Sequence, residues 1–267
     1  MQDLKETARN IRRKVLEMIY KTQSPHIGGC FSCVDILLVL YFKILKLDPD
    51  NKKDKNRDIF ILSKGHAGPA LYTVLAERGF FGKEKLEQFS VDEGIFEYHP
   101  KRNLDLGIEL TTGSLGHGLS VSTGMALARK IDNSKSRVFV LSSDGDMEEG
   151  CVWPALMFAA KHKLDNLTVI IDYNKIQAIS KVEDVFDMAN LKDKINSFGF
   201  ETKEVDGHDL SQLINVLSSV PFEQGKPSAV IAHTIKGKGV SFMENKIEWH
   251  SKHPSKEEFE KALEELK

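Results

Sequence analysis

Two residues with hard oxygen donors close two strongly apolar segments: Asp144 follows RVFVLSS and Asn174 ends LTVIIDYN. A carboxylate and an amide oxygen, set beside phosphate oxygens, make a partial octahedron suited to Mg²⁺. Gly145 has no side chain, so the backbone there can approach a ligand closely, and a helix beginning at that point would aim its amide N–H groups at an anion. The chemistry implied is the capture of a diphosphate through a metal ion. The same Asp-Gly pair also suits a tight turn that caps a helix, and taken alone it leaves both readings open.

For the two donors to meet, their segments must be parallel strands. Residues 152–162 lie between them with helical periodicity; if they form the crossover, both loops leave the sheet at the same carboxyl edge. Ligands of open α/β sheets bind along that edge. The rest of the chain repeats the alternation, with strand candidates at 58–62, 137–142, 167–172, 201–205 and 228–233. Helical periodicity falls at 34–45, 69–78, 119–130, 152–162, 210–217 and 256–266. This pattern predicts an α/β fold, a doubly wound and mostly parallel sheet. A length of 267 residues fits one such domain over 1–267, with an N-terminal helical segment over about 1–47 and a C-terminal helix over about 255–267. Leu4, Ile11, Val15, Leu16 and Ile19 give the first of these an amphipathic stripe.

Several function classes are excluded by composition. A net charge of -2 with 28% charged residues offers no broad basic surface, so no nucleic-acid partner is expected. The N-terminus is charged from its third residue, unlike a signal peptide, and no stretch approaches the roughly 18 apolar residues of a membrane span. Cys30, Cys33 and Cys151 are too few for a disulfide framework, which favours the cytoplasm. The C-x-x-C pair is read as two small buried residues ahead of a redox or zinc site. The glycines of TTGSLGHG are spaced G-x-x-G-x-G, and no GxxxxGK[ST] occurs, so neither nucleotide-binding fingerprint is met. The charged run 48–58 reads as a solvated connection.

The set of motifs carries more than any one of them. DGDMEEG followed by DYNKIQ resembles the thiamine diphosphate signature, and around it lie SPHIGG (24–29), SKGHA (63–67), TTGSLGHG (111–118) and IKGKG (235–239). Their order is that of the amino-terminal, diphosphate-binding part of transketolases, and the resemblance covers roughly residues 5–255. One position departs: Ser143 stands where the signature begins with glycine, a small residue that a strand-end turn should accept at modest cost.

The resemblance implies thiamine diphosphate and Mg²⁺ as cofactors, the metal held by Asp144, the Asn174 side-chain oxygen and the Ile176 carbonyl. It places His66, Gly145 and the turn Gly113, Ser114, Leu115 and Gly116 along the cofactor, and leaves His117 open. His26, His99 and His250 match family histidines above the reacting carbon, with His250 also counted among the cofactor contacts; imidazole has the pKa to take a proton from a sugar hydroxyl near neutrality. Glu149 matches a position buried at the dimer interface, as an electrostatic link between two cofactors. His162, His208 and His253 read as ordinary surface or loop residues. The activity implied is transfer of a two-carbon ketol unit from a ketose phosphate to an aldose phosphate. Full transketolases continue into a pyrimidine-binding domain, so the expected partner is a separate pyrimidine-binding subunit in an α2β2 assembly. The rival readings are a 1-deoxyxylulose-phosphate synthase-like subunit, a 2-oxo acid dehydrogenase-type subunit, or a non-catalytic binding protein on the same fold.

Overall fold

The computed structural model describes residues 1–186 and 188–267. Strands β1 (Ile59–Leu62), β2 (Val138–Ser143), β3 (Leu167–Tyr173), β4 (Glu201–Asp206) and β5 (Ser228–His233) form one sheet. All pairings are parallel and the order is β1-β2-β3-β5-β4. The strand expectations therefore hold to within a residue at each end.

Helices cover both faces: α1 (Gln2–Thr22), α2 (Ile27–Ser32), α3 (Val34–Val39), α4 (Gly68–Glu77), α5 (His117–Ile131), α6 (Val152–Lys161), α7 (Val182–Val185), α8 (Leu191–Ser197), α9 (Leu210–Ser218) and α10 (Lys256–Glu265). Side chains alternate along each strand, so the sheet feeds two cores. Phe60, Leu62, Phe139, Leu141, Ile170 and Val230 join apolar residues of α1 to α4 and α9. Ile59, Ile61, Val138, Val140, Val169 and Ile231 join those of α5, α6 and α8 on the other face. Burial on both faces explains why β1 and β2 are unbroken apolar runs until the last residues of β2.

The direction of winding reverses once. From β3 the chain passes through α8 to the edge strand β4, then returns through α9, on the opposite face, to place β5 between β3 and β4. A right-handed crossover that reverses direction must change faces, and the crevice at such a reversal is where open sheets bind ligands. In the β2–β3 register Ser143 lies opposite Asp172, so Asp144 and Asn174 leave the sheet side by side.

Three features depart from expectation. The segment 34–45 is α3 followed by a π-helical turn, Leu40–Ile44. Helices α7 and α8 have no counterpart among the expected helices; α2 falls inside the expected N-terminal helical segment although it reads IGGCFS, two glycines in a poor helix former, and every residue in it is buried. The run 48–58 is solvated only as far as residue 56, since Arg57 and Asp58 turn inward and Asp58 Oδ2 accepts from Lys46 N (2.9 Å) and Arg137 Nη2 (2.6 Å). Among the described residues no helix is long and apolar enough to cross a membrane.

Candidate active site

A cavity of about 260 Å³ opens at the carboxyl edge. Of the residues expected at the site it is lined by His26, His66, His99, Gly113, Leu115, Asp144, Gly145, Asn174, Ile176 and His250. These come from the loops after β1, β2 and β3, from the connection between α4 and α5, from the N-terminus of α2 and from the segment before α10.

Asp144 is 2% exposed, and its carboxylate meets only backbone donors: Gly145 N at 2.9 Å and Lys175 N at 2.6 Å. Burial, reinforced by the neighbouring Asp172 carboxylate, pushes its pKa up to about 7. The Asn174 side-chain oxygen accepts from Ile176 N at 3.1 Å. The Ile176 carbonyl accepts from Lys236 Nζ at 3.0 Å. The donor set is thus all oxygen, centred on a buried carboxylate with no ion pair among the described residues, and it fits a divalent metal completed by phosphate oxygens.

Four imidazoles crowd the opposite wall. The His26 ring lies 4.7 Å from His250 and 5.3 Å from His66, centroid to centroid, and His66 lies 5.8 Å from His250. His26 holds φ at 69°, donates its backbone N–H to the His250 carbonyl at 2.7 Å, and bonds Tyr98 through Nδ1. Burial, then the His99 and Lys236 charges, lowers His26 to about 4; burial and Lys236 lower His250 to about 3. His66 is held well below its ordinary value by burial and the Lys64 ammonium, and His99 is lowered by burial. Burial thus disfavours the charged form of all four rings, and the Nδ1 atoms of His26 and His250 are engaged by Tyr98 and by Lys236 Nζ.

Beneath this wall the charges are paired. Lys64 and Asp172 form an ion pair with no exposed side-chain surface, and Asp172 also accepts from Ser32 Oγ at 2.6 Å and from Thr234 Oγ1. Burial opposes both charges, yet the pairing prevails: the Lys64 pKa lies above its ordinary value and that of Asp172 below. Asp146 is fully buried and ties the Gly113–Gly116 turn to β2, accepting from Gly116 N (2.7 Å), Ser63 Oγ (2.5 Å) and Ser143 N (2.8 Å). Ser143 Oγ adds a further bond to Asp146 Oδ2 at 2.8 Å, so the departure from glycine gains a partner.

Some expected residues lie elsewhere. Ser114 is exposed and outside the cavity wall, and Gly116 sits behind it as the left-handed N-cap of α5 (φ 76°), where a Cβ would come within 2.7 Å of Cys151 Sγ. His117 is exposed and turned to the Leu115 carbonyl at 3.2 Å. Glu149 is exposed at the end of a 3₁₀ turn, Gly145–Glu148, and does not reach the cavity. His208 is a correction: its side chain is 12% exposed, and it bonds Asp35 Oδ2 at 2.8 Å, because Asp35 on α3 closes over the loop that follows β4. Cys30 and Cys33 are buried, as expected, with burial pushing the Cys33 thiol up to about 12. Reasoning from sequence missed Lys236, Lys64, Asp172, Asp146 and Tyr98; the two lysines sit inside quoted motifs, IKGKG and SKGHA, which was the available signal.

A larger cavity of about 780 Å³ shares Asn174 and Ile176 as a wall but contains neither Asp144 nor the four clustered histidines. The donor chemistry therefore selects the smaller one.

The fold is that of solved transketolases. The chain superposes on transketolase from Campylobacter jejuni with a TM-score of 0.92 at 31% identity, covering 100% of this chain and 43% of that one. With transketolase from Leishmania mexicana the TM-score is also 0.92, at 25% identity and 41% of that chain. The family model for the transketolase thiamine diphosphate binding domain matches residues 4–266, and the chain belongs to that family. Among curated relatives, a Phocaeicola vulgatus protein named as one subunit of an apulose-4-phosphate transketolase is 39% identical over 96% of this chain and 90% of its own length. Human transketolase is 33% identical over the whole chain, which spans only 42% of that protein. The chain thus covers less than half of these one-chain transketolases and nearly all of a relative named as a subunit.

Proposed function

We propose that residues 1–267 form one diphosphate-binding domain that acts as a subunit of a two-chain, cytoplasmic transketolase, moving a two-carbon ketol unit from a ketose phosphate to an aldose phosphate. The observation that carries this reading is Asp144, a buried carboxylate hydrogen-bonded to backbone N–H groups, lining one cavity with Asn174, Ile176 and four histidines. Bound thiamine diphosphate supplies the nucleophilic carbon and the electron sink for breaking and making the carbon–carbon bond. Asp144, the Asn174 side-chain oxygen and the Ile176 carbonyl hold Mg²⁺, while His66, Gly145, Gly113 and Leu115 border the cofactor and Gly116 shapes the turn from behind. His26, His99 and His250 bind the sugar hydroxyls and carry the proton that a hydroxyl loses as the bond breaks. Exposed Glu149 meets a second protomer.

The partner is a pyrimidine-binding chain, and the assembly contains two copies of each. The relatives named as subunits, matched over nearly their full length, support this division. The test is an assay with Mg²⁺, thiamine diphosphate, a ketose phosphate and an aldose. The chain alone should be inactive, and addition of the partner should produce ketol transfer. Turnover by the chain alone, proportional to its concentration after host enzyme is excluded, would defeat the two-chain reading.

A further inference from the structure

We infer that His208 is a positioning residue for Lys236, linked through Asp35 to Arg12, and that this buried chain sets the lysine ammonium against His250 in the candidate site. The inference rests on the proposed function only for what Lys236 does there; the linkage itself is geometric.

Lys236 is 1% exposed, and its Nζ reaches the Ile176 carbonyl at 3.0 Å and His250 Nδ1 at 2.8 Å. A lysine side chain has four rotatable bonds, so delivery of its ammonium to one point requires a fixed backbone. That backbone is pinned on both sides. After Lys236, Gly237 N donates to the Gly28 carbonyl at 3.0 Å, and the lysine stem packs so closely that a Cβ on Gly28 would lie 2.9 Å from Lys236 Cγ. Before it, Ile235 N donates to His208 Nε2 at 2.8 Å.

The second pin fixes the state of the ring. A backbone N–H can only donate, so Nε2 carries no proton and Nδ1 carries it, donating to Asp35 Oδ2 at 2.8 Å. Burial opposes the Asp35 charge, but Arg12 Nη2 at 2.7 Å keeps that carboxyl below its ordinary range. Arg12 Nη2 also donates to the Phe31 carbonyl at 3.1 Å. The chain therefore runs from α1 through α3 to the loop after β4 and then to the loop after β5, with an ionised carboxylate orienting a neutral imidazole. A second group that orients the first in this way is the ordinary means of holding a site within its working geometry.

The experiment reads position without requiring activity. In the full chain labelled with ¹⁵N-histidine, the His250 Nδ1 signal reports the contact with Lys236, and Lys236→Met defines where that signal lies without it. His208→Asn keeps a donor toward Asp35 but is too short to accept from Ile235 N–H; His208→Gln can reach Ile235. We expect His208→Asn to move the His250 signal toward its Lys236→Met position and His208→Gln to restore it, with the signal of His233, which pairs with Glu204 at 2.7 Å, unmoved in both. In the assembled enzyme His208→Asn should lower kcat/KM by up to about 100-fold, as for a small displacement of a positioned group. An unmoved His250 signal in a folded His208→Asn chain would overturn the proposal, and so would loss of the fold in both variants, which would make the link purely structural. A moved signal in a chain that shows no ketol transfer even when assembled with its pyrimidine-binding partner would uphold the linkage and refute the function proposed above.

Discussion

Asp144 and Asp172 are buried on adjacent loop and strand, yet the protein treats them in opposite ways. Asp172 has a lysine ammonium, two hydroxyls and a pKa held below its ordinary value. Asp144 has two backbone N–H groups, no side-chain ion pair among the described residues and a pKa raised to about 7. The first arrangement is closed and needs nothing further. The second carries an electrostatic cost that a proton, or a cation from outside the chain, would remove. A buried carboxylate left this way beside a ligand-sized cavity marks the working end of the sheet, and its satisfied neighbour marks the foundation.

The comparison breaks first if Asp172 proves dispensable. Asp172→Asn leaves the Lys64 ammonium buried without its counter-charge and should lower stability by about 3–5 kcal/mol, read as the shift of a urea unfolding curve. An unchanged midpoint would show that the pair is not a foundation.

The pH dependence of the metal-free chain sharpens the contrast. Asp144 is held at about 7 in the folded chain against an ordinary 3.8, so between these values the native state binds the extra proton. Its contribution to stability must then fall as pH rises from about 4 to 7. Relative to Asp144→Asn, the wild type should lose on the order of 4 kcal/mol across that window, and added Mg²⁺ with thiamine diphosphate should abolish the loss. A wild-type profile parallel to that of the variant would mean that Asp144 is not isolated.

The smallest effect concerns the turn between the two acids. Ser143→Gly restores the usual signature residue but removes a hydroxyl bonded to the buried Asp146 carboxylate, and should cost about 1 kcal/mol. Stabilisation by this substitution would show that the serine is merely tolerated.

The sequence made the sheet legible because strands buried on both faces leave unbroken apolar runs, and the two donors Asp144 and Asn174 could be placed from those runs alone. The histidines of the cavity were legible through motifs. What stayed hidden was the charge beneath them. Lys64 and Lys236 belong to a residue type almost never buried without a partner, and their partners are remote in sequence: Asp172 is 108 residues from Lys64, and Ile176 is 60 from Lys236. His208 was read as an ordinary surface or loop residue, and it does lie in the loop after β4, but its bond to Asp35 stayed hidden because that partner lies 173 residues away. Helices α7 and α8 escaped because they are short, four and seven residues, and give too few turns for a helical period.

The most direct test of the account is calorimetric titration of thiamine diphosphate into the assembled enzyme, with and without Mg²⁺, for the wild type and Asp144→Ala. Wild-type binding should require Mg²⁺ and disappear with a chelator, while the variant should show no Mg²⁺-dependent binding. Unchanged affinity in Asp144→Ala would contradict the assignment of this carboxylate to the metal and remove the ground on which the site was identified.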